Sequence, residues 1–226
     1  MHIDYTDAQK QLRRELRAYF SQLMTPELRE ATRGNEGGDA YKQVIRQLGK
    51  DGWLALGWPR EYGGQGRKYS EQLVFFEEAQ LAEVPLPFVT ISTVAPALIA
   101  LGSEEHKRFF LPKIAAGELH FAIGYTEPGA GTDTEETQLL DRGKITCYAE
   151  KVKGGYVVNG SKIFISNGHV STWCALVAYT DLKKPSANTV TFAVKTGTKG
   201  FTFGKHEDKM GQRACVASEL IFEDCF

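Results

Sequence analysis

Apolar residues recur at helical spacing up to about Gly117 and alternate at strand spacing beyond it. A stripe of period 3.6 cannot bury one face of a strand, and a stripe of period 2 cannot bury one face of a helix. The switch therefore implies an α+β chain with its helices and strands segregated. At 226 residues both halves are long enough to enclose cores of their own. The expected division is an all-α domain over 1–117 followed by a mostly antiparallel β domain over 118–226.

In the first half, Thr6 with Gln9 three positions on predicts a capping box, and Leu12, Leu16, Tyr19, Phe20 and Leu23 follow at helical spacing. Met24-Thr25-Pro26 ends that helix, and the polar stretch 33–39 reads as a loop. A second helix is expected over 40–48, stopped by Gly49 and Gly52. Ser70 reads as the cap of a helix whose apolar face is Leu73, Val74, Phe76, Ala79 and Leu81. Residues 89–101, small and apolar, suit a buried helix, with a kink or a boundary at Pro96. Ser103 with Glu104 and Glu105 opens a last helix through Phe109 and Phe110.

In the second half, 119–125 reads as a strand. Residues 155–158 lead into Asn159-Gly160, a hairpin signal, with 162–166 as the return strand. Segments 173–179, 189–194, 200–204 and 218–222 also have strand composition.

Lys plus Arg, 27, nearly cancels Asp plus Glu, 28, so charge gives no reason to expect nucleic acid or an anionic membrane. The longest uninterrupted apolar run, 174–178, is far short of a membrane span. The first residues lack the basic-then-apolar pattern of a secretory signal. Cys147, Cys174, Cys215 and Cys225 form no CxxC pair, which reads as reduced thiols in a cytoplasmic protein. His106, His120, His169 and His206 share no metal-ligand spacing, so no metal site is expected. Gly63-Gly64-Gln65-Gly66 has no preceding strand and no following Lys-Ser/Thr, which excludes a phosphate loop.

Two short stretches carry the chemistry. In Thr126-Glu127-Pro128-Gly129-Ala130-Gly131-Thr132-Asp133, Pro128 fixes a turn while Gly129 and Gly131 let the backbone approach a bulky ligand. Hydroxyls and backbone N–H groups are then free to face it. The second stretch, 159–168, places the aromatic Phe164 and the hydroxyl of Ser166 two positions apart. Either alone would pass for an ordinary turn or strand.

Together, in this order and inside an α-then-β frame, they resemble the flavin-binding elements of the acyl-CoA dehydrogenase family. Trp53-Leu54-Ala55-Leu56-Gly57-Trp58-Pro59 with Glu61-Tyr62-Gly63-Gly64 is similar to that family's early loop, and 102–118 to its last N-domain helix. Met210-Gly211-Gln212-Arg213 and Phe222-Glu223-Asp224 resemble late β-domain segments; Arg213 is taken as a structural ion-pair partner. The resemblance implies an antiparallel β-barrel-like middle domain. It implies FAD held by Ile123, Tyr125, Thr126, Gly131, Thr132, Phe164, Ile165 and Ser166. Thr126 would face the pyrimidine side of the ring, Phe164 one flavin face and Ser166 the ring's N5. Thr132 would contact the pyrophosphate and lie near the acyl-CoA thioester arm. Phe164 and Ser166 stand where the family usually has Trp and Thr, and the charged stretch 134–154 is longer than its usual connection.

The resemblance also implies α,β-dehydrogenation of an acyl-CoA thioester, with electron-transfer flavoprotein as acceptor and a homo- or hetero-oligomeric state. The family's catalytic base, a glutamate, sits in a C-terminal four-helix domain expected to be absent here. No glutamate of this chain is assigned that role. Three readings stay open: a fragment or split subunit of a dehydrogenase, a non-catalytic flavin- and acyl-CoA-binding subunit of a heteromer, or a same-fold acyl-CoA oxidase or flavin monooxygenase. Residues 53–67 and 124–133 are most similar to the subclass acting on steroid side-chain CoA esters.

Overall fold

The structure is a computed structural model that describes residues 4–131, 146–183, 188–211 and 215–226. The chain divides into two compact units, Met1–Leu119 and His120–Phe226.

The first unit is helical. Helix α1 (Asp7–Leu23) opens with the expected box: the Thr6 hydroxyl accepts the Gln9 N–H, and the Gln9 side chain accepts the Thr6 N–H. Leu12, Leu16 and Phe20 form its buried face. A short helix α2 (Pro26–Thr32) follows, capped by Thr25 with proline in its first turn. It was not expected because none of its residues is buried, so no apolar period marks it. Helix α3 (Asp39–Lys50) runs straight through Gly49. That glycine is a packing residue: a Cβ there would lie 2.4 Å from the Ala116 carbonyl carbon. Gly52, at φ 79°, makes the actual exit.

Helix α4 (Tyr69–Leu81) starts two residues earlier than Ser70 as cap would place it. Lys68 is its cap residue, and Glu71 reaches back to accept the Lys68 N–H at 3.0 Å. Phe75 and Val74 are buried while Leu73 and Leu81 face outward, so the inward face is rotated from the expected one. The kink or boundary anticipated at Pro96 is a boundary: a π-helical turn over Thr90–Val94 is directly followed by helix α5 (Ala95–Leu101), with Pro96 in its first turn. The expected burial of that segment holds for its first half, where Thr90, Ile91, Val94 and Ala95 are buried, and not for its end, where Leu101 is 87% exposed. Helix α6 (Glu104–Ala115) is capped by Ser103 as expected. The core gathers Phe20, Trp53 and Phe75, with the last two rings stacked at 6.2 Å. Glu78, buried on α4, is held by Arg13 and Arg17 at 2.7 Å each.

Among the described residues, the second unit is a mixed, barrel-like sheet of seven strands: β1 (Phe121–Gly124), β2 (Tyr148–Val152), β3 (Gly155–Ser166), β4 (Trp173–Tyr179), β5 (Thr189–Lys195), β6 (Phe201–His206) and β7 (Ala217–Cys225). Most pairings are antiparallel, but β1 runs parallel to β4, in register Phe121↔Trp173 to Gly124↔Leu176. A single pair, Tyr148↔Tyr179, is also parallel between β2 and β4, and the sheet is mostly antiparallel as expected. Strands β1 and β4 lie parallel because the chain builds the β2–β3 hairpin before returning beside β1.

A correction concerns Asn159-Gly160. The β2–β3 turn is Lys153-Gly154, flanked by the pair Val152↔Gly155, and β3 continues unbroken through Asn159-Gly160. At that point the β3–β7 register shifts, a β-bulge. Gly160, at φ 131°, is needed because a Cβ would stand 2.6 Å from the Cys147 Cα. Asn159 is occupied across the sheet, accepting the Asp224 N–H at 2.8 Å. The dipeptide serves a close approach of two strands, not a turn.

Candidate functional site

The two motifs singled out from sequence meet in the β unit. Strand β1 delivers the chain into a tight turn in which Glu127 N–H donates to Ala130 O at 2.8 Å and Ala130 N–H returns to Glu127 O at 3.2 Å. Pro128 and Gly129 form its exposed tip. The Ile163 N–H of β3 donates to Thr126 O at 2.9 Å and so locks the two stretches side by side.

Beneath this contact lies an ion pair absent from the sequence expectations. Lys162 is fully buried, and its Nζ donates to Glu127 Oε1 at 2.8 Å and to the Tyr125 carbonyl at 3.1 Å. The other oxygen of Glu127 accepts from the Thr146 N–H at 2.6 Å and the Cys147 N–H at 3.2 Å. A charge at zero exposure is tolerable only when paired and hydrogen-bonded, and both conditions are met. Sequence alone makes Glu127 a member of the turn and gives it no partner. The sequence signal for the pair was a lysine beside the apolar run Ile163-Phe164-Ile165 and an acid in a small-residue loop.

Below the pair, burial pushes the Cys147 thiol up to about 11, with Lys162 pulling against it and Glu127 adding to it. Burial pushes Cys174, in the same core, up to about 12. Neither is a nucleophile.

The residues expected to hold a ligand are placed as follows. Ile123 is half-buried on β1, and Tyr125, Thr126 and Gly131 are half-buried along the turn. Phe164 sits in a second β3 bulge at φ 58°, with its ring 63% exposed. A left-handed phenylalanine is rare and costs about 1–3 kcal/mol, a strain that concentrates at functional sites. Ile165 points into the core and offers only its backbone, while Ser166 is half-buried at the strand's end. Thr132, Arg213 and most of the stretch 134–154 lie outside the described residues.

Two groups stand out as unspent. Among the described residues, the Thr126 N–H and hydroxyl have no partner although its carbonyl is bonded, and the Ser166 hydroxyl has none either. A surface that offers free donors, a bare aromatic face and a side-chain-poor turn suits a planar heteroaromatic with electron-rich edges. A flavin ring fits that description. No group of three or more metal-ligating side chains occurs among the described residues.

Comparison with known proteins decides the lineage. Residues 6–118 match the acyl-CoA dehydrogenase N-terminal domain, and residues 122–225 match the acyl-CoA dehydrogenase middle domain. The chain belongs to the acyl-CoA dehydrogenase family.

Within that family it is 48% identical over 210 residues to the acyl-CoA dehydrogenase FadE26 of Mycobacterium tuberculosis, covering 91% of this chain and 46% of that protein. It is 46% identical over 181 residues to FadE29 of the same organism, covering 80% of this chain and 45% of the relative. A solved structure, the ChsE4-ChsE5 complex from Mycobacterium tuberculosis, aligns over 100% of this chain and 55% of its own, at 45% identity and a TM-score of 0.86. The chain thus spans about half the length of the curated relatives it matches.

Proposed function

We propose that this acyl-CoA dehydrogenase chain binds FAD between its Thr126 turn and the Phe164–Ser166 end of β3, as part of an enzyme that desaturates acyl-CoA thioesters between Cα and Cβ. The observation that carries the reading is the set of unpartnered donors on Thr126 and Ser166 beside the exposed ring of Phe164. When bound, FAD supplies acceptance of the β-hydrogen as hydride. The chain's own part is to seat Phe164 against the ring and to aim fixed donors at the edges where negative charge arrives. Ile123, Tyr125, Gly131, Ile165 and Thr132 complete the cofactor contacts in this reading, with Thr132 also near the thioester.

A carboxylate must remove the α-proton. Glu127 cannot serve, because its oxygens are engaged by Lys162 and by the Thr146 and Cys147 N–H groups just before β2. We place the base outside the described residues. In the helical unit, a cleft of about 720 Å³ lined by Trp58, Leu73, Phe76, Phe88 and Ile91 has the size and apolar character of an acyl-chain site. Electrons then pass to an electron-transfer flavoprotein, in the cytoplasm. The likeness to the ChsE4-ChsE5 complex favours a hetero-oligomer, and the likeness to the Tcur3481-Tcur3483 steroid acyl-CoA dehydrogenase, at 39% identity, favours steroid side-chain CoA esters as substrates. The first likeness also favours a second reading, in which this chain binds flavin and acyl-CoA while a partner supplies the base.

The test is the visible spectrum of the purified protein, with and without added FAD, followed by dye reduction with a panel of acyl-CoAs. A resolved flavin spectrum that bleaches only when a second chain is added supports the two-chain reading. Failure to perturb the FAD spectrum at all ends the assignment.

A further inference from the structure

The buried lysine does more than join two strands. Its Nζ donates to the Tyr125 carbonyl at 3.1 Å, and that carbonyl belongs to the same peptide unit as the Thr126 N–H. Drawing electron density toward the oxygen of an amide deepens its C–N double-bond character and leaves the N–H more positive. Lys162 is fully buried, so water does not screen the effect. Glu127 holds the ammonium in place at 2.8 Å and is itself anchored by the Thr146 and Cys147 N–H groups. The Thr126 N–H at the far end of this relay has no acceptor among the described residues.

We infer that Lys162 is a positioning residue that sets the electron affinity of the bound flavin, by polarising the Tyr125–Thr126 peptide whose free N–H is offered to the ring. The inference rests on the flavin assignment above. A polarised donor favours the electron-rich, reduced ring over the oxidised one. A purely structural lysine would alter stability and cofactor retention, but not the ratio of the two affinities.

The experiment compares wild type with Lys162→Met/Glu127→Gln, which removes both charges together, in the purified protein with any chain that accompanies it. Circular dichroism verifies the fold. Absorbance follows a dithionite titration of the bound FAD against a reference dye. The variant is expected to prefer reduced over oxidised flavin about tenfold less, read by a two-electron couple as a fall of about 30 mV. Lys162→Gln/Glu127→Gln, which keeps a neutral N–H donor at position 162, is expected to fall between the two. Equal potentials in a folded variant overturn the inference while leaving flavin binding intact. Should neither variant fold, wild type alone decides: a bound potential no higher than that of free FAD also overturns it. If wild type leaves the FAD spectrum unchanged, the assignment beneath it falls instead.

Discussion

Lys162 of β3 and Glu127 of the Thr126 turn form an ion pair at 2.8 Å in which both side chains are essentially inaccessible to water. The pair joins the two segments whose sequences first pointed to a flavin, and it reaches a third, the entry to β2, through Thr146 and Cys147. Removing one charge strands the other. Lys162→Met is therefore expected to destabilise the protein by about 3–5 kcal/mol, because Glu127 then lies buried and unpaired. Adding Glu127→Gln should recover most of that loss. Urea denaturation of the single and double variants measures it, and a double variant less stable than Lys162→Met would contradict the pairing.

How much of this was legible beforehand differs from element to element. The Thr6–Gln9 box and the Ser103 cap are local chemistry, and both stand where sequence puts them. Asn159-Gly160 has the strongest short-range turn signal in the chain, yet it lies mid-strand, because the contact that requires Gly160 comes from Cys147, distant in sequence. The same cause hid the ion pair: Glu127 and Lys162 are 35 residues apart, and no local rule connects them. Motif residues such as Phe164 and Ser166 were visible as residue types. The bulge at Phe164, its left-handed backbone and its exposure arise where β3 pairs with β7 and could not be read locally.

Gly160 gives a direct test of that distinction. Gly160→Ala brings a Cβ to 2.6 Å from the Cys147 Cα at a φ of 131°, and is expected to cost about 2–4 kcal/mol. Gly154→Ala, in the true turn, meets nothing closer than Phe226 at 3.8 Å and should cost about 1 kcal/mol. Melting temperatures rank the two, and the reverse order would restore Asn159-Gly160 as the turn.

The unspent donors predict a separation of binding from stability. Thr126→Val and Ser166→Ala each remove a hydroxyl that has no partner among the described residues. Each is expected to weaken FAD about fivefold, roughly 1 kcal/mol per hydrogen bond, while leaving the melting temperature of the flavin-free protein unchanged. Fluorescence quenching titrations of FAD measure the first effect. Unchanged affinity in both variants would remove these hydroxyls from the site.

Acidification should loosen the region just past Ser166. His169 stacks on His206 with ring centroids 3.9 Å apart, and its Nδ1 is buried without a partner among the described residues. Burial, reinforced by His206, holds its pKa below the ordinary 6.5. The unfolded chain therefore takes up this proton first. Stability from a neutral His169 is fully present above the ordinary value and is lost as pH falls through the folded one. Melting temperature followed from about pH 8 down to about pH 5 should fall more steeply for wild type than for His169→Asn. Parallel curves would show that this imidazole does not contribute.

Thiol chemistry gives the last expectation, because the four cysteines differ in burial. Cys147, Cys174 and Cys225 are buried, unpaired, and all raised by burial, the first two to about 11 and about 12. Cys215 is half-buried. Since the thiolate is the reactive form, a chromogenic disulfide reagent at about pH 8 should modify Cys215 quickly and the other three only after denaturation. Lys162→Met is expected to slow Cys147 further in whatever folded population survives, since the ammonium is the one neighbour that favours its thiolate. Rapid modification of Cys147 in the native wild type would mean that the core beneath the Glu127 turn opens to water, and with it the ion pair.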